Sequence, residues 1–317
     1  MSGTLLVGTQ SGILALVFDD DRWRTVDQTL HGHDVTALWC VAGEPPTIWA
    51  GTYGDGLLVT RNGGSLWEPV ELEDAAFVRA LFSPPDHPQA LFVGLEPAEI
   101  WRTTDGGRTW QQAGLRSWPE AASWYLPYSP RAGAVRTFAA HPAAPSRLYA
   151  GIEVGGVLRS DDGGKTWRLL NGGIDPDVHH LAPHPTDPNT LLAATGGGVY
   201  RTRNGGQTWE CVVDAYTRAV AYHPLKPEVA FAGPARQVGR GGRILATRNG
   251  GDSWILAATG LPVPMPGMVD ALYLFPEWPE IVFAVLSDGR LVWSGTERVE
   301  WQPVPLPGVR VRCCALL

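Results

Sequence analysis

One octet recurs along this chain, and its spacing constrains the fold more than any other feature. Thr103-Thr-Asp-Gly-Gly-Arg-Thr-Trp110 returns as Ser160-Asp-Asp-Gly-Gly-Lys-Thr-Trp167 and as Thr202-Arg-Asn-Gly-Gly-Gln-Thr-Trp209. Looser copies run Thr60-Arg-Asn-Gly-Gly-Ser-Leu-Trp67 and Thr247-Arg-Asn-Gly-Gly-Asp-Ser-Trp254, while Trp23 and Trp301 keep only the final residue. These seven tryptophans are 44, 43, 57, 42, 45 and 47 residues apart, and the long interval holds an insertion at about 115–133. A period in the low forties is that of a four-stranded propeller blade.

Each unit repeats one internal grammar. In the fourth, Ala134–Ala139 reads as a strand, His141-Pro142 and Pro145 as a turn, and Arg147–Gly151 as a second strand. A turn over Glu153–Gly156, a third strand Val157–Ser160, the Asp-Asp-Gly-Gly hairpin and a fourth strand Thr166–Leu170 complete it. Short β-rich runs bounded by Gly, Pro, Asn and Asp are strands joined by tight turns. No 3.6-residue period is sustained, so helix is expected to be nearly absent. Residues 3–30 hold only three strands, and Val309–Leu316 reads as a first strand with nothing after it. Pairing tail to head completes a blade and removes an open sheet edge. The expected fold is all-β: one seven-bladed β-propeller over 1–317, built of four-stranded antiparallel blades, its ring closed by the C-terminal strand pairing into the N-terminal blade. The closing blade combines 3–30 with 309–317, and the others fall at about 34–70, 77–113, 134–170, 178–212, 218–257 and 268–304.

Composition agrees and removes whole classes of function. Glycine and proline, 38 and 27 of 317 residues, suit a chain full of turns. A net charge of −7 offers no basic face for a phosphate backbone, so nucleic acid is not expected as a partner. The hydrophobic share of 44% is that of a soluble globule. No window approaches the roughly 18 apolar residues of a membrane helix, so no membrane span is expected. Met1–Gln10 shows neither a basic nor an apolar leader segment, and Cys40, Cys211, Cys313 and Cys314 lack metal-ligand spacing. Free thiols and a cytoplasmic location are the expectation.

The octet has a mechanical explanation. A side-chain oxygen at its third position (Asp105, Asp162, Asn204, Asn249, Asn62) can accept backbone N–H bonds across the turn, and one glycine of each pair can take φ > 0. The tryptophan then offers a large flat surface between blades. These Asp and Asn residues are read as scaffold, as are the turn histidines His87, His141, His184 and His223. The frame Ser/Thr-x-Asp-x-Gly-x-Thr-Trp, with the His-Pro turns His141-Pro142, His184-Pro185 and His223-Pro224, resembles that of Asp-box (BNR) repeat propellers over nearly the whole chain. That resemblance implies the propeller fold and leaves function open among sialidases, xyloglucan-active glycosidases, sortilin-type receptors and photosystem II assembly factors.

The face opposite the Asp boxes is where a site is expected. Superposing the units puts Thr36, Arg79, Arg136, His179, Arg218, Asp270 and Arg312 at one position near the start of the innermost strand. First strands line the central channel, so these arginines are expected to converge as an anion-attracting focus. Gln10, Tyr53, Glu96 and Glu153 share a second position, in the turn between strands two and three. Trp124 and Tyr125, in the insertion on the same face, are expected to wall a ligand or dock a partner. The first functional reading is a non-catalytic propeller holding an anionic small molecule or a protein segment through Arg79, Arg136, His179, Arg218, Arg312, Trp124 and Tyr125. The alternative is an enzyme using the same pocket. A metal-assisted hydrolase or lyase would draw a divalent ion to His33, His179 or His180 beside Glu96 or Glu153. Otherwise no cofactor is expected. A glycoside hydrolase resembling sialidases would use Glu96, Glu153 or Tyr53, although the Arg-Ile-Pro element typical of sialidase N-termini is missing. The xyloglucan-active glycosidases join two propellers, and this chain has residues for one.

Overall fold

A computed structural model describes residues 3–84, 86–130, 132–306 and 308–317. Seven antiparallel sheets follow one another as the blades of a propeller. Blade 1 runs Val311–Leu316, Leu5–Thr9, Gly12–Asp19, Arg22–Thr29 from the inside outward, so the C-terminal strand closes the ring on the N-terminal one. The innermost strands of blades 2 to 7 are Val35–Val41, Val78–Phe82, Ala134–His141, Val178–Pro183, Thr217–Tyr222 and Val269–Tyr273. The short elements Leu115–Ser117 and Pro119–Ser123 are 3-10 turns, and no helix is long and apolar enough to cross a membrane. Blade 6 departs from the four-stranded expectation. A fifth strand, Arg240–Gly242, pairs with the extension of Ala230–Gln237.

The octet works as its chemistry demands. Asp162 Oδ1 accepts the backbone N–H groups of Lys165 and Thr166, each at 2.9 Å, and its Oδ2 accepts the Thr166 hydroxyl at 2.6 Å. The Ser160 hydroxyl donates to Asp162 and accepts from Gly164 N. Asn204 substitutes by accepting from Thr208 N at 3.0 Å while its amide donates to the Thr208 hydroxyl. Both glycines of every pair, not one, have positive φ, as at Gly163 (73°) and Gly164 (78°). A doublet without Cβ atoms adopts two consecutive left-handed residues at the least cost, which accounts for both glycines in the five copies that keep the hairpin.

The core is layered. Each of seven apolar clusters among the described residues lies between two neighbouring blades, and each of the seven equivalent tryptophans sits in a different one. Trp167 of blade 4, for example, packs edge-on against Phe92 of blade 3. Arginines add a polar fastening at the rim: Arg102, Arg159 and Arg201 each donate to the carbonyl of the first octet glycine in the next blade, Gly163, Gly205 and Gly250, at 2.9–3.1 Å.

Near the channel a second repeated device appears. In all seven blades the ladder between the innermost strand and its neighbour slips by one residue close to the strand's start. The slip falls at Thr36, Arg79, Arg136, His179, Arg218, Asp270 and Arg312. A β-bulge of this kind re-aims a side chain that regular pleating would point elsewhere. The residue before the bulge packs on the preceding blade's second strand, as Val78 does over Gly51, Val135 over Gly94 and Val178 over Gly151.

Candidate functional site

The seven bulges converge on the mouth of a central cavity of about 980 Å³. Thr36, Arg79, Arg136, His179, Arg218, Asp270 and Arg312 all line it. Tyr53, Tyr128 and Glu153 line it from the turns and the insertion above. Deeper in the channel the wall becomes aromatic, with Trp39 edge-on to Phe82 and Phe82 stacked on Phe138.

Each of the four arginines at a bulge has a carboxylate. Arg79 lies 3.6 Å from Glu96 and over the Tyr53 ring, 5.4 Å from its centroid. Arg136 lies 3.4 Å from Glu153 Oε2, which also accepts the Tyr128 hydroxyl at 2.7 Å. Arg218 donates from Nη1 to Asp270 and from Nε to the Tyr216 hydroxyl. Arg312 makes two parallel bonds of 2.9 Å to Asp34. The expectation of an anion-attracting focus is therefore corrected. Among the described residues four arginines stand against Asp34, Glu96, Glu153, Asp177 and Asp270, and the mouth is a ring of ion pairs without positive surplus.

The carboxylates are not the solvated loop groups that a turn position would give. Glu96 is fully buried, and its Oε1 accepts the Ser129 hydroxyl. Burial opposes ionisation of Glu153, yet Arg136, His179 and the Tyr128 hydroxyl outweigh it and hold the carboxyl below its ordinary value. His179 is buried and donates from Nδ1 to the Thr217 carbonyl at 2.8 Å, since a carbonyl only accepts. Its Nε2 thereby faces Asp177 Oδ1 at 3.3 Å, Glu153 Oε1 at 3.9 Å and the Tyr216 hydroxyl at 3.5 Å.

Several expected residues lie elsewhere. Trp124 is buried at 3% exposure, packed with Leu115, Ile152 and Ala98 beneath the insertion, so it anchors that loop and offers nothing to a ligand. Tyr125 beside it is 68% exposed and is not among the residues that line the cavity. His33 pairs through Nδ1 with Asp55 at 2.9 Å, near the surface and outside the His179 cluster. His180 spends its Nδ1 on the Val220 carbonyl, and burial pushes its pKa down toward the neutral ring. The turn histidines behave as capping groups: His141, His184 and His223 each accept, through Nδ1, backbone N–H groups two or three residues on. Asp34, Asp177 and Tyr216 were not anticipated. All three stand two residues before a bulge, so superposing the units with that offset would have found them.

Fold and repeated hairpin together define a BNR-type seven-bladed β-propeller. The BNR/Asp-box repeat profile matches residues 158–169. Comparison with curated proteins finds no sequence match. Among solved structures, the chain is similar to the GH74 xyloglucanase from Xanthomonas campestris, with 17% identity and a TM-score of 0.74 over 95% of this chain and 52% of that one. It therefore spans about half the length of that enzyme. It is also similar to YCF48 bound to D1 peptide (20% identity, TM-score 0.57, 96% of this chain and 85% of that one). A third similar structure is Chaetomium thermophilum Sqt1 bound to the N-terminus of the ribosomal protein L10 (13% identity, TM-score 0.58, 94% and 82%). Propellers of this shape thus include enzymes and peptide binders alike.

Proposed function

We propose that this chain is a non-catalytic binding propeller that holds a protein segment across the mouth of its central channel. The observation that carries this reading is the ring of paired charges, edged by the exposed Tyr53 and Tyr128, with Tyr125 exposed in the same insertion as Tyr128. A ring that presents donors and acceptors in alternation suits a peptide backbone, which offers both. A small anion gains less there, because each of the four bulge arginines already has a carboxylate and an added one must displace it. Tyrosines supply contact area at low entropic cost. The peptide complexes of YCF48 and Sqt1 support the reading by analogy of fold.

Glycoside hydrolysis is the weaker reading. It requires one carboxyl kept protonated near neutrality as the acid, and Glu153 is held in the opposite direction. The test pans a random peptide library displayed on phage against the purified chain, then against Arg312→Met and Tyr125→Ala. Both side chains are exposed, so these variants keep the fold, whereas Arg79 supports the buried Glu96. Segments enriched by the parent should bind at least tenfold more weakly to either variant. Enrichment of nothing, or binding indifferent to both changes, would defeat the proposal.

A further inference from the structure

We propose that His179 Nε2, Asp177 Oδ1 and Glu153 Oε1 form a divalent-metal site, of the class zinc occupies, in the wall of the channel mouth. It rests on the donor atoms themselves and is independent of the protein-segment reading.

The three atoms lie within 4.8 Å of one another, with Nε2 at 3.3 Å from Asp177 Oδ1 and 3.9 Å from Glu153 Oε1. Metal–ligand bonds of about 2.0–2.2 Å place neighbouring ligand atoms of a tetrahedral ion roughly 3.3–3.6 Å apart, so the atoms need move little. The tautomer is set: Nδ1–H is committed to the Thr217 carbonyl, leaving the Nε2 lone pair toward the carboxylates. A backbone carbonyl behind a ligating imidazole is the usual orienting partner of a metal histidine. Glu153 divides its oxygens, with Oε2 taken by Tyr128 and Arg136 and Oε1 turned to His179. Asp177 supplies the independent sign. Its Oδ1 is shut off from solvent and has no hydrogen-bond partner among the described residues, a cost that buried oxygens rarely bear. A neutral imidazole aims a lone pair at two carboxylate oxygens, which is repulsive. A cation between them relieves it, whereas the Tyr216 hydroxyl reaches Nε2 only at 3.5 Å. The donor set of one imidazole and two carboxylates suits zinc and its first-row neighbours better than calcium or magnesium. Glu153 and His179 line the cavity, so the fourth coordination position faces a ligand entering the mouth. The ion would supply a Lewis acid to which a ligand carboxylate or carbonyl binds.

Calorimetric titration of the metal-free full chain with zinc chloride tests the site. The expected result is one equivalent bound, a higher melting temperature with zinc, and cobalt substitution giving the visible bands of a four-coordinate ion. Asp177→Asn and His179→Gln should each weaken zinc binding at least tenfold, while His33→Gln leaves it unchanged and so reports adventitious surface binding. Asp177→Asn is the decisive variant, because its side chain is partly exposed and the change is isosteric. No uptake by the parent chain, or uptake in Asp177→Asn and His179→Gln equal to the parent's, overturns the site.

Discussion

At the scale of single residues, the Asp boxes divide into two electrostatic kinds. The Thr109 hydroxyl and backbone N–H, with Thr103, hold the Asp105 carboxyl well below the usual range, and Thr166 with its neighbours does the same for Asp162. A depressed folded-state pKa means that the unfolded chain binds these protons more readily. Their contribution is therefore complete above about pH 5 and is lost as pH falls below about 4. The copies at Asn62, Asn204 and Asn249 make the backbone bonds without a charge to lose. The double variant Asp105→Asn, Asp162→Asn should thus be slightly less stable at pH 7 and lose less on acidification. Urea midpoints at pH 7 and pH 3 check this, and equal losses in parent and variant would count against it. The octet was legible because identical chemistry recurs at fixed spacing. The burial of Trp124 was not, since nothing in a loop's composition says which aromatic turns inward.

At the scale of strands, the bulge explains why the site was half readable. Superposition found the seven positions, because a repeated bulge keeps the repeat length constant. It could not show that a bulge existed there, nor that carboxylates from the turns above would meet the arginines. Charge partners such as Glu96 with Arg79, or Arg312 with Asp34, come from different strands and, for the second pair, from opposite ends of the chain. The bulge also sets a packing constraint. A Cβ on Gly94 would lie 2.7 Å from Val135 Cγ1 and 2.8 Å from the Val135 carbonyl oxygen. Backbone cannot yield as a flexible side chain does, so Gly94→Ala should cost about 1–3 kcal/mol. Chemical denaturation measures it, and a neutral result would show that blades 3 and 4 slide apart freely.

At the scale of the whole molecule, stability depends on closure, because each apolar layer is shared by two blades. Val311–Leu316 pairs with Leu5–Thr9 and contributes Cys313 and Cys314 to the layers on either side of blade 1. Deleting Val311–Leu317 opens an edge on Leu5–Thr9 and thins both layers, so stability should fall by several kcal/mol. A truncated chain that melts within a degree or two of the parent would show that the ring does not need its seam. Closure was legible from the strand count at the two ends. The fifth strand of blade 6 was not, because its glycine-rich sequence has no alternation to distinguish it from a turn.

The seven bulged residues take no part in the ladder that holds their blades, whereas the valines and glycines beside them and the octets at the far rim carry the packing. Recognition and architecture are therefore written in different letters of the same chain. A library randomised at positions 36, 79, 136, 179, 218, 270 and 312 would vary the chemistry of the mouth, and the polar bonds that Thr36, His179, Arg218 and Arg312 make to the next blade, while leaving the apolar layers as they stand. One repeated frame therefore carries a mouth whose chemistry is set by the few positions at which the blades differ.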